Sequence, residues 1–313
     1  MGLLHDCLPP MSHDQSHTHA PPNYNTAFAI GVGLNVLYIV VELIVGFSIS
    51  SIALIADAGH NISDVLALLL AWGANALAAT KPTARRTYGL RRTTILASLT
   101  NAIVLLIVIG AIAWEAIRRF SQPEEVPGGT VMWTAGIGIL VNLGTALLFM
   151  KGRERDINIR GAFLHMAADA AVSAGVLLAG LAILLTGAQW IDPLTSLLVV
   201  LVIAIGTWGL LRESITLAID AVPENVNPGK VRDFLLTLPG VEDVHDLHIW
   251  AMSTTEIALT AHLMKPDSKG DDALLKNAAE HLHREFEIVH STIQFERSSG
   301  CVGCEKGQEN GLA

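Results

Sequence analysis

The stretch ADAGHNISDVLALL, residues 56–69, places three titratable side chains inside an apolar run: Asp57, His60 and Asp64. His60 and Asp64 are four residues apart, so on a helix their side chains lie one above the other on one face. Ionisable groups within a membrane-spanning helix are costly to bury and usually mark an ion pathway. The stretch therefore predicts a membrane helix with one functional face.

A second apolar run about a hundred residues later repeats this pattern. FLHMAADAAV, residues 163–172, carries His165 and Asp169 at the same spacing of four. Two distant helices thus each offer one imidazole and one carboxylate. Brought face to face, they would form a set of two nitrogen and two oxygen ligands, which suits tetrahedral Zn2+.

The composition is that of a membrane protein. Of the 313 residues, 51% are hydrophobic and only 16% are charged, with a mean hydropathy of +0.47. Six apolar runs are each long enough to cross about 30 Å of hydrocarbon. They predict an all-α bundle of six transmembrane helices: Ala27–Phe47, Ile52–Ala78, Thr94–Ile117, Val131–Met150, Ala162–Leu185 and Leu194–Leu217.

Basic residues in the connections predict the orientation. The connection between spans two and three, Lys81–Arg92, carries five of them, the connection between spans four and five carries four, and connections one–two and five–six carry none. Because Lys and Arg are enriched on the cytoplasmic side, both termini are predicted to be cytoplasmic, in an inner (plasma) membrane. Lys81–Arg92 has no histidine or acid, so we expect contact with anionic lipid there and no metal site.

The C-terminal third has a different character. Residues 1–219 carry 13 acidic and 12 basic side chains, whereas residues 220–313 carry 16 acidic and 8 basic. This predicts an acidic, water-facing domain that does not bind nucleic acid. Its pattern of helix, strand, strand, helix, strand is typical of a small ferredoxin-like α+β fold. The elements are a helix from Asn227 to Leu238, strands Val241–Met252 and Glu256–Met264, a helix Asp271–Phe286 and a strand Val289–Glu296.

These patterns divide the chain into a tail (1–25), a transmembrane domain (26–219), a cytoplasmic domain (220–298) and a second tail (299–313). The first tail is polar and rich in histidine, and we predict that it is disordered. Its histidines either hold metal loosely near the pore or have no role. It lacks the basic segment of a cleaved signal peptide. The second tail holds Cys301 and Cys304, whose CxxC spacing indicates metal binding or redox chemistry in a reducing compartment.

From about Ala27 to Glu296 the chain resembles the cation diffusion facilitator family, specifically its zinc-exporting bacterial members and the animal zinc transporters. The specific signal is the combination of two HxxxD pairs with HDLHIW at residues 245–250. Further matching residues are Asn35, Tyr38, Glu42 and Gly46, the run SxALxADAxHxxxD that ends at Asp64, Tyr88 with Gly89, and Asp192 with Pro193.

The resemblance implies a homodimer in the lipid bilayer that exports a cytoplasmic divalent metal in exchange for protons, and not an enzyme. It also implies that the C-terminal cytoplasmic domain is metallochaperone-like. Carried over by motif position, the family's transport site falls on His60, Asp64, His165 and Asp169. In that family the two-His, two-Asp type is associated with Zn2+ over Cd2+. Two carboxylates balance the charge of the dication, and ligands bind metal only when deprotonated, so exchange of metal for protons at one site is the expected chemistry.

The resemblance also implies a second zinc site, in the cytoplasmic domain. His245, His262 and Glu296 match family positions that bind metal there, and Cys301 and Cys304 resemble the C-terminal CxxC of some zinc transporters. Together they make a mixed His, Glu and Cys set. The alternative is that these are surface histidines and a frayed tail with two reduced thiols.

Two further acids in the spans have more than one possible role. Asp57 lies on the face of His60, where it either caps the start of the helix or supports a ligand from outside the coordination shell. Glu42 either pairs with a basic group or carries protons. The sequence does not decide between these roles.

Three other functions compete with zinc export. Export of Co2+, Ni2+, Fe2+, Mn2+ or Cd2+ would use the same site. An intramembrane metallohydrolase is disfavoured, because the chain has no H-E-x-x-H and no spare membrane glutamate beside the ligands to act as general base. A metal sensor that does not transport would need only the acidic C-terminal region.

Overall fold

The computed structural model describes residues 25–150 and 157–298, with side-chain surroundings for residues 33–147, 150 and 163–298. The N-terminal histidines and both cysteines of the CxxC lie outside the described residues. Within that part, long helices come first and a small domain follows. The long helices are α1 (Asn25–Ser48), α2 (Ile52–Ala78), α3 (Thr93–Ser121), α4 (Gly128–Phe149), α5 (Ile157–Thr186) and α6 (Ile191–Ala218).

Helices α2 to α6 are each long and apolar enough to cross a membrane, and the described side chains of α1 add a shorter apolar stretch, Gly33–Ser48. Their outer faces carry many exposed large apolar side chains, among them Trp72, Trp133 and Leu201. So much exposed apolar surface is unfavourable in water and fits the hydrocarbon of a bilayer. The protein is therefore a multi-pass membrane protein.

The start of α2 is held by the first turn of α6. Ser51 is the N-cap residue of α2, and its hydroxyl oxygen accepts a hydrogen bond from the Leu54 backbone N–H at 3.3 Å. Asp192 of α6 is 1% exposed and accepts hydrogen bonds from the Ser51 hydroxyl (2.5 Å) and the Ile52 N–H (2.8 Å). A carboxylate suits this place, because the first N–H groups of a helix lack intrahelical partners. The capping role considered for Asp57 is therefore wrong.

Helices α4 and α5 approach each other backbone to backbone. A Cβ atom on Gly128 would lie 2.5 Å from the Gly180 carbonyl oxygen, and one on Gly180 would lie 2.6 Å from the Met132 nitrogen. Small residues at such crossings are typical of packed membrane helices. Gly138 of α4 similarly leaves the space that the Tyr38 hydroxyl of α1 fills. The position of α5 is thus fixed against α4.

The small domain contains α7 (Pro228–Leu236), β1 (Asp243–Ala251), β2 (Ile257–Met264), α8 (Asp271–Phe286) and β3 (Ile288–Glu296). The sheet order is β1-β2-β3, with β1 antiparallel and β3 parallel to β2. Leu235 of α7, Leu259 of β2 and Leu282 of α8 are fully buried in its core. A mostly helical membrane region followed by a small domain with a three-stranded sheet agrees with the prediction.

The loop between α2 and α3 contacts the small domain. Arg91 Nη1 lies 2.8 Å from Glu256 Oε2, and Arg92 pairs with Asp220 just after α6. Partly exposed ion pairs of this kind each contribute little to stability, but they orient the loop. Two of the five basic residues of Lys81–Arg92 therefore contact acids of the chain itself. Contact of this loop with anionic lipid stays a prediction.

Candidate metal centres

The structure brings the four residues of the predicted transport site together. His60 and Asp64 lie one turn apart on α2, and His165 and Asp169 lie one turn apart on α5. His60 Nε2 lies 3.7 Å from Asp64 Oδ2 and 3.5 Å from Asp169 Oδ1. His165 Nε2 lies 3.4 Å from Asp64 Oδ2 and 3.6 Å from Asp169 Oδ2. Each imidazole therefore faces both carboxylates.

These separations resemble the spacing of ligands around a common atom more than hydrogen bonds. Hydrogen bonds between nitrogen and oxygen measure about 2.7–3.2 Å. In a tetrahedron whose metal–ligand bonds measure about 2.0–2.2 Å, neighbouring ligand atoms lie about 3.3–3.6 Å apart. The four nitrogen–oxygen distances, from 3.4 to 3.7 Å, lie close to the tetrahedral spacing, but they involve both oxygens of Asp169. One ligand atom each from His60, Asp64 and Asp169 lies within 4.8 Å of the others, and His165 lies outside that group of three.

Several atoms of this site are buried without a hydrogen-bond partner among the described residues. They are Asp64 Oδ2, Asp169 Oδ1 and His60 Nδ1. Burying a polar atom without a partner costs free energy, and the cost is larger for a charged group. A dication bound between the carboxylates would supply the missing interaction for their oxygens.

Exposure falls across the site from one end to the other. The exposed fraction of the side chain is 43% for His165, 31% for Asp64, 21% for His60 and 2% for Asp169. The accessible members are those nearer the C-terminal end of α2 and the N-terminal end of α5. This is the end of the bundle where the α2–α3 loop contacts the small domain.

A further polar contact between α2 and α5 lies beyond the buried end of the site. Ser173, one turn after Asp169 on α5, donates its hydroxyl to Asp57 Oδ2 at 3.0 Å. Both Ser173 and Asp57 are fully buried. Asp57 therefore lies next to the four-residue site along both helices, which agrees with its other predicted role, support of the ligands.

Three of the five residues predicted for the cytoplasmic site also come together. His245 on β1 is paired with His262 on β2, and Glu296 ends β3. His245 Nε2 lies 3.1 Å from Glu296 Oε2, and His262 Nδ1 lies 3.0 Å from Glu296 Oε1. One ligand atom from each residue lies within 4.8 Å of the others. Two imidazoles and a carboxylate suit Zn2+; Cys301 and Cys304 lie outside the described residues.

A β-bulge places Asp246 on the other side of the His262 ring, away from Glu296, a contact that sequence reasoning missed. The pairing of β1 with β2 is irregular between His245 and His248, and Asp246 there has a φ of +50°. Its carboxylate lies 3.6 Å from His262 Nε2 and 3.0 Å from His248 Nε2. Strict alternation places Asp246 on the face opposite His245, and the bulge breaks that alternation. No signal in the sequence marks the bulge.

Glu296 is the last residue of β3. Hydrogen bonds and ion pairs of neighbouring residues hold this end of the strand in place. Arg297 donates to the carbonyl oxygens of Lys265 (2.8 Å) and Asp267 (2.7 Å) and pairs with Asp271. Lys265 is 3% exposed and donates to Asp271 at 2.9 Å. Hydrogen bonds from Lys265 and Arg297 lower the pKa of Asp271. These contacts join the end of β3 to the start of α8.

Two family models match most of this chain. The cation efflux transmembrane domain matches residues 28–217, and the cytoplasmic domain of cation efflux proteins matches residues 223–298. The chain belongs to the cation efflux family. This confirms the resemblance to the cation diffusion facilitators and the prediction that the protein is not an enzyme.

Full-length relatives of the family are similar over nearly their whole length. Zinc transporter ZitB of Escherichia coli K12 is 36% identical over 293 residues, which cover 91% of this chain and 93% of ZitB. Metal cation efflux system protein CzcD of Cupriavidus metallidurans is 32% identical, covering 90% and 89%. The cadmium, cobalt and zinc/H(+)-K(+) antiporter of Bacillus subtilis is 34% identical, covering 83% and 85%. The protein is thus a divalent metal cation efflux transporter.

A solved structure covers part of the small domain. The metal-bound C-terminal domain of the CzcD transporter from Cupriavidus metallidurans is 36% identical and covers 23% of this chain and 99% of that domain, with a TM-score of 0.22. At this TM-score the similarity is one of sequence alone.

Proposed function

We propose that this protein exports Zn2+ from the cytoplasm in exchange for protons, and that His60, Asp64, His165 and Asp169 bind the transported ion. The observation that supports this best is the set of nitrogen–oxygen distances from 3.4 to 3.7 Å, in which each imidazole faces both carboxylates. Two ionised carboxylates make the site with Zn2+ bound neutral overall, which favours its burial in a membrane.

Proton exchange follows from the same four side chains. Without metal, two carboxylates close to each other repel, and protons on the carboxylates or imidazoles relieve that repulsion. Metal binding needs the deprotonated ligands, so each ion that enters displaces protons. If the site then opens to the other side, protons there displace the metal in turn.

The names of the relatives support both Zn2+ as the transported ion and its exchange for protons. One relative is called a zinc transporter and another a cadmium, cobalt and zinc/H(+)-K(+) antiporter. Cd2+ and Co2+ are therefore the alternative cargoes to test first. Two imidazoles and two carboxylates favour Zn2+ over Cd2+, because Cd2+ is softer and prefers sulfur ligands.

We propose six transmembrane spans in the plasma membrane, with both termini in the cytoplasm. The basic loop between α2 and α3 supports this orientation by the positive-inside rule. In that orientation the accessible end of the transport site, at His165 and Asp64, faces the cytoplasm. We further propose that the chain divides into a tail (1–25), a transmembrane domain (26–219), a cytoplasmic domain (220–298) and a second tail (299–313). The cytoplasmic domain would have a metallochaperone-like fold, and the protein would be a homodimer.

Zinc flux in proteoliposomes tests the proposal directly. With the cytoplasmic face outward and an acidic lumen, we expect the vesicles to accumulate external Zn2+. A gradient of one pH unit is worth about 1.4 kcal/mol per proton, so each proton exchanged supports about tenfold accumulation. A fluorescent zinc indicator inside the vesicles reports the luminal Zn2+ concentration. Its signal with the pH gradient in place, divided by its signal after an ionophore has collapsed the gradient, gives the accumulation ratio. Accumulation that ignores the gradient, or transport of Mn2+ without Zn2+, would contradict the proposal.

We also propose that His245, His262 and Glu296 bind a resident Zn2+ in the cytoplasmic domain, with Cys301 and Cys304 as further ligands. The convergence of three ligand atoms within 4.8 Å supports this. Such a metal would join the three strands at one end of the sheet, and it takes no direct part in transport.

His262→Ala tests the cytoplasmic site separately from flux. We expect bound zinc in the purified full-length protein, measured by elemental analysis after dialysis, to fall by about one ion per chain, because the central imidazole is lost. Proton-driven flux should persist. The matched control is His283→Ala, which removes an exposed histidine of α8. If His262→Ala and His283→Ala bind the same amount of zinc as the wild type, the proposed cytoplasmic site is wrong.

A further inference from the structure

Glu42 is a fully buried acid in the last two turns of α1 that the transport site does not use. Tyr38, one turn earlier, donates its hydroxyl to Glu42 Oε1 at 2.7 Å. The other carboxyl oxygen, Oε2, is buried without a hydrogen-bond donor among the described residues. A buried carboxylate with one orphaned oxygen is unfavourable unless it carries a proton or contacts a cation.

The group next to Glu42 is a second acid. The carboxyl group of Asp57 on α2 lies within hydrogen-bonding reach of the Glu42 carboxyl group, and Asp57 Oδ1 also lacks a donor. Ionised carboxylates are acceptors only, so this contact becomes a hydrogen bond only when one of the two is protonated. Two ionised carboxylates in contact away from water would repel strongly.

The other described groups that face the pair do not balance two negative charges. On α1 the neighbouring titratable group is Tyr38, and on α2 it is Asp57 itself, which is influenced in turn by His60. Helix α5 contributes the Ser173 hydroxyl and, farther away, the acid Asp169; α4 contributes only a backbone carbonyl oxygen, which contacts Tyr38. Among the described residues no lysine or arginine contacts the pair. Pairing of Glu42 with a basic group, one of its two predicted roles, finds no support among the described residues.

We propose that Glu42 is a proton-binding site of the transporter, which donates a hydrogen bond to Asp57 when protonated and releases its proton when a metal ion binds at the transport site. This inference rests on the proposed exchange of metal for protons. It assigns one of the exchanged protons to a residue that does not itself bind metal.

The position of the pair explains how the two events are coupled. Asp57 precedes His60 by three residues on α2 and contacts Ser173, one turn from Asp169 on α5. Without metal at the transport site, the negative charge of Asp169 disfavours ionisation of the nearby pair. A dication bound by His60 and Asp169 balances that charge, and the relief of this repulsion is large where water is excluded. The O–H bond of Glu42 breaks, the proton passes to Asp57 and from there to the surrounding water, and the two carboxylates of Glu42 and Asp57 remain ionised. When the metal leaves, the pair takes up a proton again.

Glu42→Gln is the direct test, because glutamine keeps the shape and a donor toward Asp57 but cannot release a proton. Zinc is added to the purified full-length protein in weak buffer with a pH indicator, and the protons released per zinc ion bound are counted. We expect Glu42→Gln to bind zinc but to release up to about one proton fewer than the wild type. The control is Glu213→Gln, the same change at an exposed glutamate of α6, which should match the wild type.

Infrared spectroscopy provides a readout of the proton itself. In the wild type we expect a C=O stretch of a protonated carboxylic acid that disappears on zinc binding and is absent in Glu42→Gln. If that variant cannot be purified, Tyr38→Phe replaces it: loss of the hydroxyl donor disfavours the ionised carboxyl, so the band should persist at a pH where the wild type has lost it.

The outcomes separate this inference from the function on which it rests. If wild-type protein releases no protons when zinc binds, the exchange mechanism itself is wrong. If the wild type releases protons and Glu42→Gln releases the same number, with the carboxylic acid band unchanged, the exchange mechanism stands and the role of Glu42 is overturned.

Discussion

Asp169→Ala is expected to abolish zinc flux while the protein still folds and inserts. Asp169 is 2% exposed, and its two oxygens lie 3.5 Å from His60 Nε2 and 3.6 Å from His165 Nε2. The substitution removes a ligand from each of these contacts and leaves the zinc-loaded site with a net positive charge in a low-dielectric surround. Changes of residues that only support a metal ligand already cost about 10–100-fold, so we expect a loss of at least about 100-fold.

The measurement is the initial rate of proton-driven zinc uptake by proteoliposomes at equal protein content. Asp64→Ala should show the same loss, because Asp64 faces the same two imidazoles. Ser63→Ala is the control on α2: its hydroxyl is bonded only to the Gly59 carbonyl of its own helix, so flux should be unchanged. Uptake by Asp169→Ala within about twofold of the wild type would show that the four residues are not the transport site.

Asp192→Ala is expected to give the largest loss of stability of any single substitution considered. The carboxylate accepts hydrogen bonds from the Ser51 hydroxyl and the Ile52 N–H, and it joins the starts of α2 and α6. Alanine would leave these buried donors without partners. Hydrogen bonds to a charged group are worth about 1.5–3 kcal/mol each, so we expect a loss of about 3 kcal/mol or more.

Thermal unfolding of the detergent-solubilised protein, followed by fluorescence, checks this prediction. The matched control is Ser196→Ala, one turn later on α6, whose buried hydroxyl has no partner among the described residues. Its removal should leave the midpoint unchanged or raise it slightly. A midpoint for Asp192→Ala equal to that of the control would mean that Asp192 does not hold the two helices together.

Elements with strong local signals were predictable from the sequence. The bounds of α2, Ile52–Ala78, and of α8, Asp271–Phe286, agree with the apolar periodicity and turn residues that predicted them. The convergence of the two HxxxD pairs could be anticipated because each pair is costly in a membrane unless it serves a site. What the sequence alone left open was which groups would lie next to that site.

The residues that sequence reasoning placed wrongly or missed depend on contacts between distant parts of the chain. Asp192 accepts a hydrogen bond from the Ile52 N–H, 140 residues earlier in the chain. No local sequence pattern indicates such a contact. The pairing of Arg91 with Glu256 was missed because the two residues lie 165 positions apart in the chain. Asp246 was missed because a bulge reverses the alternation on which face assignments depend.

The contact between Gly128 and Gly180 matters for anyone who would engineer the metal preference of this protein. Gly180 lies eleven residues beyond Asp169 on α5, about 16 Å along the helix axis. A methyl group at either glycine would force the two backbones apart, and a rigid helix would carry that displacement to the carboxylate. Residues far from the proposed transport site can therefore influence its geometry, and a library restricted to the four proposed ligands would leave this adjustment unexplored.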